Sequence, residues 1–283
     1  MKTRIISALV GTVILLAVLF CPYEWVFALA AAVLAAIAVW ELLHNTGIVK
    51  NRVFEIGSMV FAAATTLISC YRIEMETTPD FSILEFFPFE WIFCLLGVYA
   101  LLALLLSVAC RTLAVWKGFG MTLYATLGFA SLVCLRSTPS GLGLAYVLLP
   151  LVIAWMSDTG AYFVGTFLGK HKMAPVLSPK KSWEGFLGGW LISIGLTAVF
   201  GVIYNAFIGG VSSLHIKVGL ITVLAAVLAP LSVAGDLFAS LIKRRCGIKD
   251  YGNIMPGHGG VMDRFDSVIF IAPMLLALLQ LFH

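Results

Sequence analysis

Apolar residues recur along the whole chain in runs long enough to cross a bilayer, and short polar stretches separate these runs. A transmembrane helix needs about 20 consecutive apolar residues. The pattern therefore predicts an all-α polytopic integral membrane protein with about nine transmembrane helices. The predicted spans are Ile5–Phe20, Trp25–Leu43, Val53–Cys70, Trp91–Cys110, Gly118–Leu135, Gly141–Leu168, Gly185–Ile208, Val218–Ile242 and Ser267–Phe282.

The composition excludes an ordinary soluble domain of this length. Hydrophobic residues make up 61% of the 283 residues and charged residues only 11%, which is too little polar surface for a water-soluble globule. The first apolar run follows Lys2 and Arg4 as a signal peptide would, but the junction after Phe20 reads CPYEW and offers no small-residue cleavage site. We therefore expect this run to be a retained helix.

Lys and Arg residues divide unevenly between the two predicted membrane faces. If the N-terminus is cytoplasmic, all of the 18 Lys and Arg residues lie on the cytoplasmic side except Arg72, Arg136 and Lys217. Cytoplasmic loops of membrane proteins carry such an excess of positive charge. The distribution predicts a cytoplasmic N-terminus, and it accounts for the net charge of +4 without any binding of nucleic acid.

The cysteines and the chain organisation add few constraints. The six cysteines show no C-x-x-C pairing and most lie in or beside apolar spans, so we interpret them as reduced residues rather than disulfide partners or metal ligands. One membrane domain is predicted over residues 1–283. Within it, residues 1–140 would form N-terminal transmembrane helices, and residues 141–283 would form the catalytic transmembrane helices and cytoplasmic loops.

Acidic residues are scarce in the second half of the chain, and Asp158 and Asp236 lie where predicted spans approach the cytoplasmic face. A carboxylate at membrane depth costs about 2.5–3.5 kcal/mol on insertion scales and by default marks function. Asp236, Ser240 and the basic pair that begins at Lys243 recur at helical spacing, so they form one polar stripe that has to face protein or a wet cavity. The alternative for each acid is a structural ion pair with a nearby Lys or Arg.

The loop between the sixth and seventh spans is basic and ends at a predicted helix N-terminus. Lys180 and Lys181 precede Ser182, which is positioned to cap the seventh helix. A helix N-terminus flanked by lysines attracts phosphate through its free backbone N–H groups and the helix dipole. Gly188 and Gly189 predict close packing of this helix on a neighbour. A basic loop that only sets the topology is the alternative.

The segment KRRCGIKDYGNIMPGHGGVMDRFD, residues 243–266, concentrates charges of both signs and several glycines. Gly259 and Gly260 belong to a loop whose backbone can approach a ligand closely. Asp263 and Asp266 are spaced i, i+3, so both carboxylates share one face if a helix starts there. Two carboxylates about 4 Å apart repel by about 4 kcal/mol at an effective dielectric near 20, and Mg²⁺ held by carboxylates and substrate phosphates would relieve that repulsion. The predicted Mg²⁺ ligands are Asp236, Asp263 and Asp266, with a second cation left open.

The stretch from Ser240 to Asp266 resembles the signature of the phosphatidate cytidylyltransferases, also called CDP-diacylglycerol synthases. Met255 departs from that pattern, where Leu, Ile or Phe is expected, but it preserves the apolar bulk. The segments SDTGAYFVG and SPKKSWEG extend the resemblance over Ser157 to Asp266. The positions that carry the signature are Ser240, Lys243, Arg244, Lys249, Asp250, Gly252, Pro256, His258, Gly259, Gly260, Asp263, Arg264 and Asp266.

The resemblance implies transfer of CMP from CTP to phosphatidate, which gives CDP-diacylglycerol and pyrophosphate and requires Mg²⁺. The implied partners are CTP, phosphatidate and membrane lipids, with a homodimer left open and no nucleic acid. The implied location is the bacterial cytoplasmic membrane, with the active site on the cytoplasmic face. The residue pattern and the resemblance together indicate catalytic roles for Asp236, Asp263, Asp266, Lys243, Arg264 and His258. They indicate substrate-binding roles for Asp158, Lys180, Lys181, Ser182, Ser240, Arg244, Lys249, Asp250, Gly259 and Gly260.

Two alternatives remain open at the level of sequence. A related nucleotidyltransferase or phosphotransferase that acts on another lipid phosphate or on an isoprenoid lipid would use the same kinds of residue. A transporter of a phosphorylated solute would also carry acids and broken helices, but its site would lie near the bilayer midplane, usually between repeated halves. The polar residues here gather at one predicted membrane face and no repeat is visible, which favours an enzyme.

Overall fold

A computed structural model of the protein describes residues 2–70, 89–138, 141–209, 215–254 and 259–281. Within these ranges the chain is mostly helical, and a long helix lies at each of the nine predicted spans. In chain order the helices are α1 (Lys2–Leu19), α2 (Glu24–Trp40), α3 (Arg52–Ile68), α4 (Phe89–Ala109), α5 (Ala114–Arg136), α6 (Gly143–Leu168), α7 (Trp183–Tyr204), α8 (Val218–Arg245) and α9 (Met262–Leu281).

Among the described helices, seven are long and apolar enough to cross a bilayer, namely α2 and α4 to α9. Two of them continue into short π-helical segments, α2 at Glu41–Asn45 and α7 at Asn205–Gly209. By contrast, α3 has 17 residues, and within α1 the stretch Val10–Leu19 forms a shorter apolar helix. The protein is therefore an integral membrane protein, while nine crossings and a cytoplasmic N-terminus remain predictions.

Prolines interrupt several of the membrane helices without ending them. Pro150 lies inside α6, Pro230 inside α8 and Pro273 inside α9. Proline removes one backbone hydrogen bond, but membrane helices tolerate it because neighbouring helices and local adjustments satisfy the freed carbonyl groups. Since α8 continues past Pro230, it carries Asp236 and Lys243 on one helix.

The chain forms two compact units, of which the first comprises Met1–Ser137 and Cys246–Arg264. In this unit α2, α3 and α5 pack against one another, and Phe54 and Phe129 are buried. The hydroxyl groups of Ser58 and Tyr99 share a hydrogen bond of 2.8 Å, which satisfies two polar groups that lipid could not. The functional division of the chain at residue 140 remains a prediction.

The second unit comprises Thr138–Arg245 and Phe265–His283. In it α6 packs closely on α7, and α7 packs on α8. A Cβ atom placed on Gly189 would lie 2.8 Å from the backbone nitrogen of Ala161 in α6, and one on Gly188 would lie 2.5 Å from the Val164 side chain. The close packing predicted from these glycines is therefore confirmed, and the neighbouring helix is α6.

Candidate functional site

A short β-hairpin between α6 and α7 carries two of the lysines predicted to bind phosphate. Strand β1 (Lys172–Ala174) pairs antiparallel with strand β2 (Ser178–Ser182), which contains Lys180 and Lys181. The all-α prediction missed this hairpin. The sequence SPKKS has no alternation of apolar and polar residues, so it offers no local signal for a strand.

Ser182 ends strand β2 and caps helix α7. Its Oγ accepts a hydrogen bond from the backbone nitrogen of Gly185 at 3.2 Å, which confirms the predicted N-cap. The Glu184 carboxylate accepts a hydrogen bond from the backbone nitrogen of Lys170 at 3.1 Å and lies 2.6 Å from His171 Nδ1. These contacts join the start of the hairpin to the first turn of α7.

A cavity of about 270 Å³ opens beside the hairpin in the second unit. Polar groups predicted for substrate binding or catalysis form part of its wall: Asp158, Lys180, Lys181, Ser182 and Asp236. The other lining residues are Ala161, Tyr162, Met173, Ser178, Gly185, Phe186 and Val233. A largely apolar wall with a few convergent polar groups is typical of ligand sites.

Asp236 contacts polar side chains from two different elements. The Lys181 ammonium forms an ion pair with the Asp236 carboxylate. Ser240, one turn further along α8, donates a hydrogen bond from its Oγ to Asp236 Oδ1 at 3.4 Å. The Lys181 and Asp236 side chains are 20% and 25% exposed, so the pair is sheltered but open to the cavity. The predicted polar stripe on α8 is confirmed at Asp236 and Ser240.

Two further carboxylates of the second unit lie within electrostatic range of Asp236. Asp158 and Asp266 both interact with it, and the Lys243 ammonium offsets part of the negative charge at Asp266. Asp266 is buried, and its Oδ1 accepts a hydrogen bond from the backbone nitrogen of Ser267 at 2.8 Å. The second unit thus gathers three of the acids that the sequence marks as functional.

Asp263 lies in the first turn of α9, within the first unit, and organises the loop that precedes this helix. Its Oδ2 accepts hydrogen bonds from the backbone nitrogen of Tyr251 at 2.7 Å and from that of Gly260 at 3.0 Å. Gly259 adopts a φ of +85°, a left-handed conformation that favours glycine. A Cβ atom there would lie 2.9 Å from Asp263 Oδ2. Gly259 therefore allows the described backbone before α9 to approach the Asp263 carboxylate closely.

The backbone before α9 also contacts a buried carboxylate that no sequence motif singles out. Glu41, the first residue of the π-helical segment after α2, is fully buried. Its carboxylate accepts hydrogen bonds from the backbone nitrogens of Val261 and Met262. The available signal was a lone acid inside the apolar run AVWELLHN, where a carboxylate is costly. Its partner Val261 lies 220 residues further along the chain, beyond the reach of any local pattern.

Comparison with known proteins shows the family to which this chain belongs. The model of the Cytidylyltransferase family matches residues 2–282 of the chain. The chain belongs to the cytidylyltransferase family. The match extends well beyond the segment from Ser157 to Asp266 on which the sequence resemblance rests, and it includes the first unit that supplies Glu41.

Relatives of this cytidylyltransferase carry a more specific name. The phosphatidate cytidylyltransferase of Staphylococcus epidermidis is 33% identical, with 99% of both chains aligned. That of Staphylococcus aureus (strain COL) is 32% identical, again with 99% of both chains aligned. That of Bacillus subtilis (strain 168) is 45% identical over 50% of this chain and 49% of its own. The resemblance seen in the sequence is therefore confirmed.

Several other residues predicted for the site of this cytidylyltransferase lie at the surface. Arg244, Lys249, Asp250 and Arg264 are exposed. His258 lies outside the described residues. The roles assigned to these five residues remain predictions.

The carboxylates near Asp236 fit a hard cation that arrives together with a substrate. Within the described part of the chain, no group of three or more His, Cys, Asp or Glu side chains is arranged to hold a metal ion. Mg²⁺ commonly takes only one or two carboxylates and completes its shell with water and substrate phosphates. Asp236 and Asp266 carry carboxylate oxygens of this kind in the second unit. Asp263, the third predicted ligand, belongs to the first unit, where its Oδ2 accepts two backbone hydrogen bonds.

Proposed function

We propose that this protein is a phosphatidate cytidylyltransferase, which transfers CMP from CTP to phosphatidate and releases pyrophosphate. The observation that carries the proposal is the cavity in which Lys181 and Asp236 meet beside Lys180 and the capped N-terminus of α7. The full-length similarity to relatives named phosphatidate cytidylyltransferase supports the same activity.

The reaction brings two anions together, and this explains the kind of site it needs. An oxygen of the phosphatidate phosphate forms a bond to the α-phosphorus of CTP. The bond from that phosphorus to the bridging oxygen breaks, and pyrophosphate leaves with the electron pair. Because the attacking phosphate is already ionised at neutral pH, no general base is required. Catalysis then consists mainly of positioning and charge stabilisation.

Lys181 is well placed to meet a phosphate group in the cavity. Its ammonium pairs with Asp236, and Nζ makes no other hydrogen bond within the described residues. An ammonium group carries three donors, so it can contact phosphate oxygens while it stays near the carboxylate. Lys180 in the same strand and the N-terminus of α7 behind Ser182 add positive potential. We expect these groups to bind the phosphates of CTP.

We also propose that Asp236 and Asp266 of the second unit hold Mg²⁺ when CTP binds, and that the Asp263 carboxylate of the first unit also binds a cation. Bound Mg²⁺ would neutralise charge on the CTP phosphates. The negative charge in the second unit supports the assignment, because Asp158 and Asp266 both lie within electrostatic range of Asp236. If the ion pair of Asp236 with Lys181 were purely structural, the nearby carboxylates of Asp158 and Asp266 would add repulsion without a function.

Transfer from CTP labelled at the α-phosphate tests the proposed activity. Purified protein in mixed micelles with Mg²⁺ and phosphatidate is expected to form labelled CDP-diacylglycerol in amounts equal to the pyrophosphate released. The same assay with an isoprenoid phosphate in place of phosphatidate separates the lipid acceptors. Label on the isoprenoid phosphate alone would contradict the proposed acceptor, and label on neither lipid would contradict the activity.

We propose further that the protein lies in the bacterial cytoplasmic membrane and that its site opens to the cytoplasmic side. Exposing the acyl chains of phosphatidate to water costs about 0.8 kcal/mol per CH₂, so the lipid reacts at headgroup depth while CTP arrives from water. The excess of Lys and Arg on one predicted face supports a cytoplasmic position for the hairpin and for residues 243–266. The bacterial source of the relatives agrees with this location.

Cysteine labelling checks this orientation. Asn253 is exposed in the loop before α9, so Asn253→Cys in a protein without its native cysteines should react with a membrane-impermeant maleimide in inside-out vesicles and not in intact cells. The native thiols are removed because Cys94 and Cys110 are exposed. Cys246 is less accessible, and burial raises the pKa of its thiol and slows its reaction. Labelling of Asn253→Cys in intact cells would show that the loop faces outward and would contradict the proposed orientation.

A further inference from the structure

We infer that Glu41 is a positioning residue of this cytidylyltransferase, whose buried carboxylate holds the start of α9 and so orients Asp263. The inference rests on the proposed function, because it assigns to Glu41 a part in placing an acid of that reaction. Asp263 lies in the first turn of α9.

Both oxygens of Glu41 contact consecutive backbone groups at the N-terminus of α9. Oε1 accepts a hydrogen bond from the backbone nitrogen of Val261 at 3.0 Å, and Oε2 accepts one from that of Met262 at 2.8 Å. The first N–H groups of a helix have no acceptor inside the helix, and the helix dipole favours a negative charge at this end. A side chain distant in sequence therefore supplies a cap that a local Ser, Thr, Asp or Asn usually provides.

Two described glycines before α9 leave room for this carboxylate. A Cβ atom on Gly252 or on Gly260 would collide with the carboxylate group of Glu41. Both glycines are buried, as Glu41 is. Two separate positions of the loop thus leave room for the same side chain, and a larger residue at either one would displace it.

The π-helical segment that begins at Glu41 also holds the loop at a second point. Asn45 Nδ2 donates a hydrogen bond to the backbone oxygen of Tyr251. The backbone nitrogen of Tyr251 in turn donates to Asp263 Oδ2 at 2.7 Å, and the Tyr251 side chain is fully buried. The segment Glu41–Asn45 therefore contacts both the loop that supports the Asp263 carboxylate and the backbone from which α9 begins.

The geometry requires a carboxylate rather than any side chain of similar size. A glutamine at position 41 has one acceptor oxygen and one NH₂ group. It would satisfy one of the two backbone N–H groups and direct a donor at the other. A buried N–H group without an acceptor is unfavourable, so the first turn of α9 is expected to shift or open when the charge is removed.

Glu41→Gln is the main test variant because it keeps the size of the side chain. Glu41→Asp keeps the carboxylate and should retain part of the cap. The matched control is Glu55→Gln, which removes a carboxylate 3.6 Å from His44 of the same π-helical segment. All variants are purified as full-length protein in detergent and compared with the wild type for yield and thermal midpoint.

Hydrogen exchange of the backbone amides measures the capping contact directly. In Glu41→Gln the amides of Val261 and Met262 are expected to exchange at least about tenfold faster than in the wild type, because they lose an acceptor. The Glu55→Gln control should leave the exchange of these two amides unchanged. Equal exchange in Glu41→Gln and the wild type would overturn the cap and with it the inference.

Kinetics separate positioning from a structural role. For Glu41→Gln we expect kcat for CMP transfer to fall about 10- to 100-fold, as when an outer partner of a metal site is lost. The Mg²⁺ concentration for half-maximal activity should rise, and Glu41→Asp should recover part of both effects. If Glu41→Gln lowers only the thermal midpoint and yield, while kcat and the Mg²⁺ response of the folded protein match the wild type, the positioning role is wrong.

The wild-type protein distinguishes failure of this inference from failure of the proposed function. A wild type that transfers CMP to no lipid phosphate would defeat both. An active wild type together with a fully active Glu41→Gln variant would defeat the inference alone. Gly252→Ala adds a further check, since its Cβ would displace the Glu41 carboxylate and should reproduce the lower kcat of Glu41→Gln.

Discussion

Replacing Asp236 with asparagine is expected to lower kcat/KM for CMP transfer by at least about 1,000-fold, which corresponds to about 4 kcal/mol of transition-state stabilisation. Asp236 pairs with Lys181, accepts a hydrogen bond from Ser240 and lines the cavity. Asparagine keeps the shape and can still accept from Ser240, but it carries no charge for a divalent cation. The measurement is transfer of label from CTP to phosphatidate at saturating Mg²⁺.

The control for this prediction is Glu24→Gln, which removes a carboxylate from the first turn of α2 and is expected to leave kcat/KM unchanged. Asp266→Asn provides a second variant in case Asp236→Asn fails to insert into the membrane. Near-normal activity of either Asp variant at saturating Mg²⁺ would show that its carboxylate does not hold the metal.

Replacing Lys181 with glutamine is expected to lower kcat/KM for CTP by about 10- to 100-fold, since a hydrogen bond to a charged group contributes about 1.5–3 kcal/mol. The ammonium of Lys181 lies in the cavity wall beside Asp236, where glutamine provides a polar group but no charge. Lys243, which interacts with Asp266, is expected to show a loss of similar size when replaced with glutamine. Steady-state kinetics with varied CTP measures both variants.

The matched control is the double variant Lys50→Gln with Arg52→Gln. Both residues are exposed and belong to the predicted cytoplasmic side, so the double variant removes positive charge that bears on topology alone. We expect its KM for CTP to equal that of the wild type. Small and equal effects in the control and in Lys181→Gln would indicate that Lys181 serves only to set the topology.

The positions of the helices are largely predictable because each membrane helix satisfies its own backbone hydrogen bonds and needs only a sufficiently long apolar run. The predicted span Gly141–Leu168 corresponds to α6 at Gly143–Leu168. The same holds for contacts within one helical turn. Ser182 caps α7 by accepting a hydrogen bond from the Gly185 backbone nitrogen, and the Ser240 hydroxyl donates to the Asp236 carboxylate. Both contacts follow because residues three or four apart are neighbours in a helical turn.

The sequence alone thus determined the membrane class, the helices, the local caps and the family signature, all of which depend on residues close together in the chain. Only the tertiary structure decided which distant groups meet. Nothing local to Lys181 or Asp236 specifies their ion pair, and nothing near Glu41 specifies the backbone of Val261, 220 residues away. Packing of the helices decides which distant groups become partners. Close contacts at glycines and the cost of burying a charged group select each partner, and distance along the sequence does not.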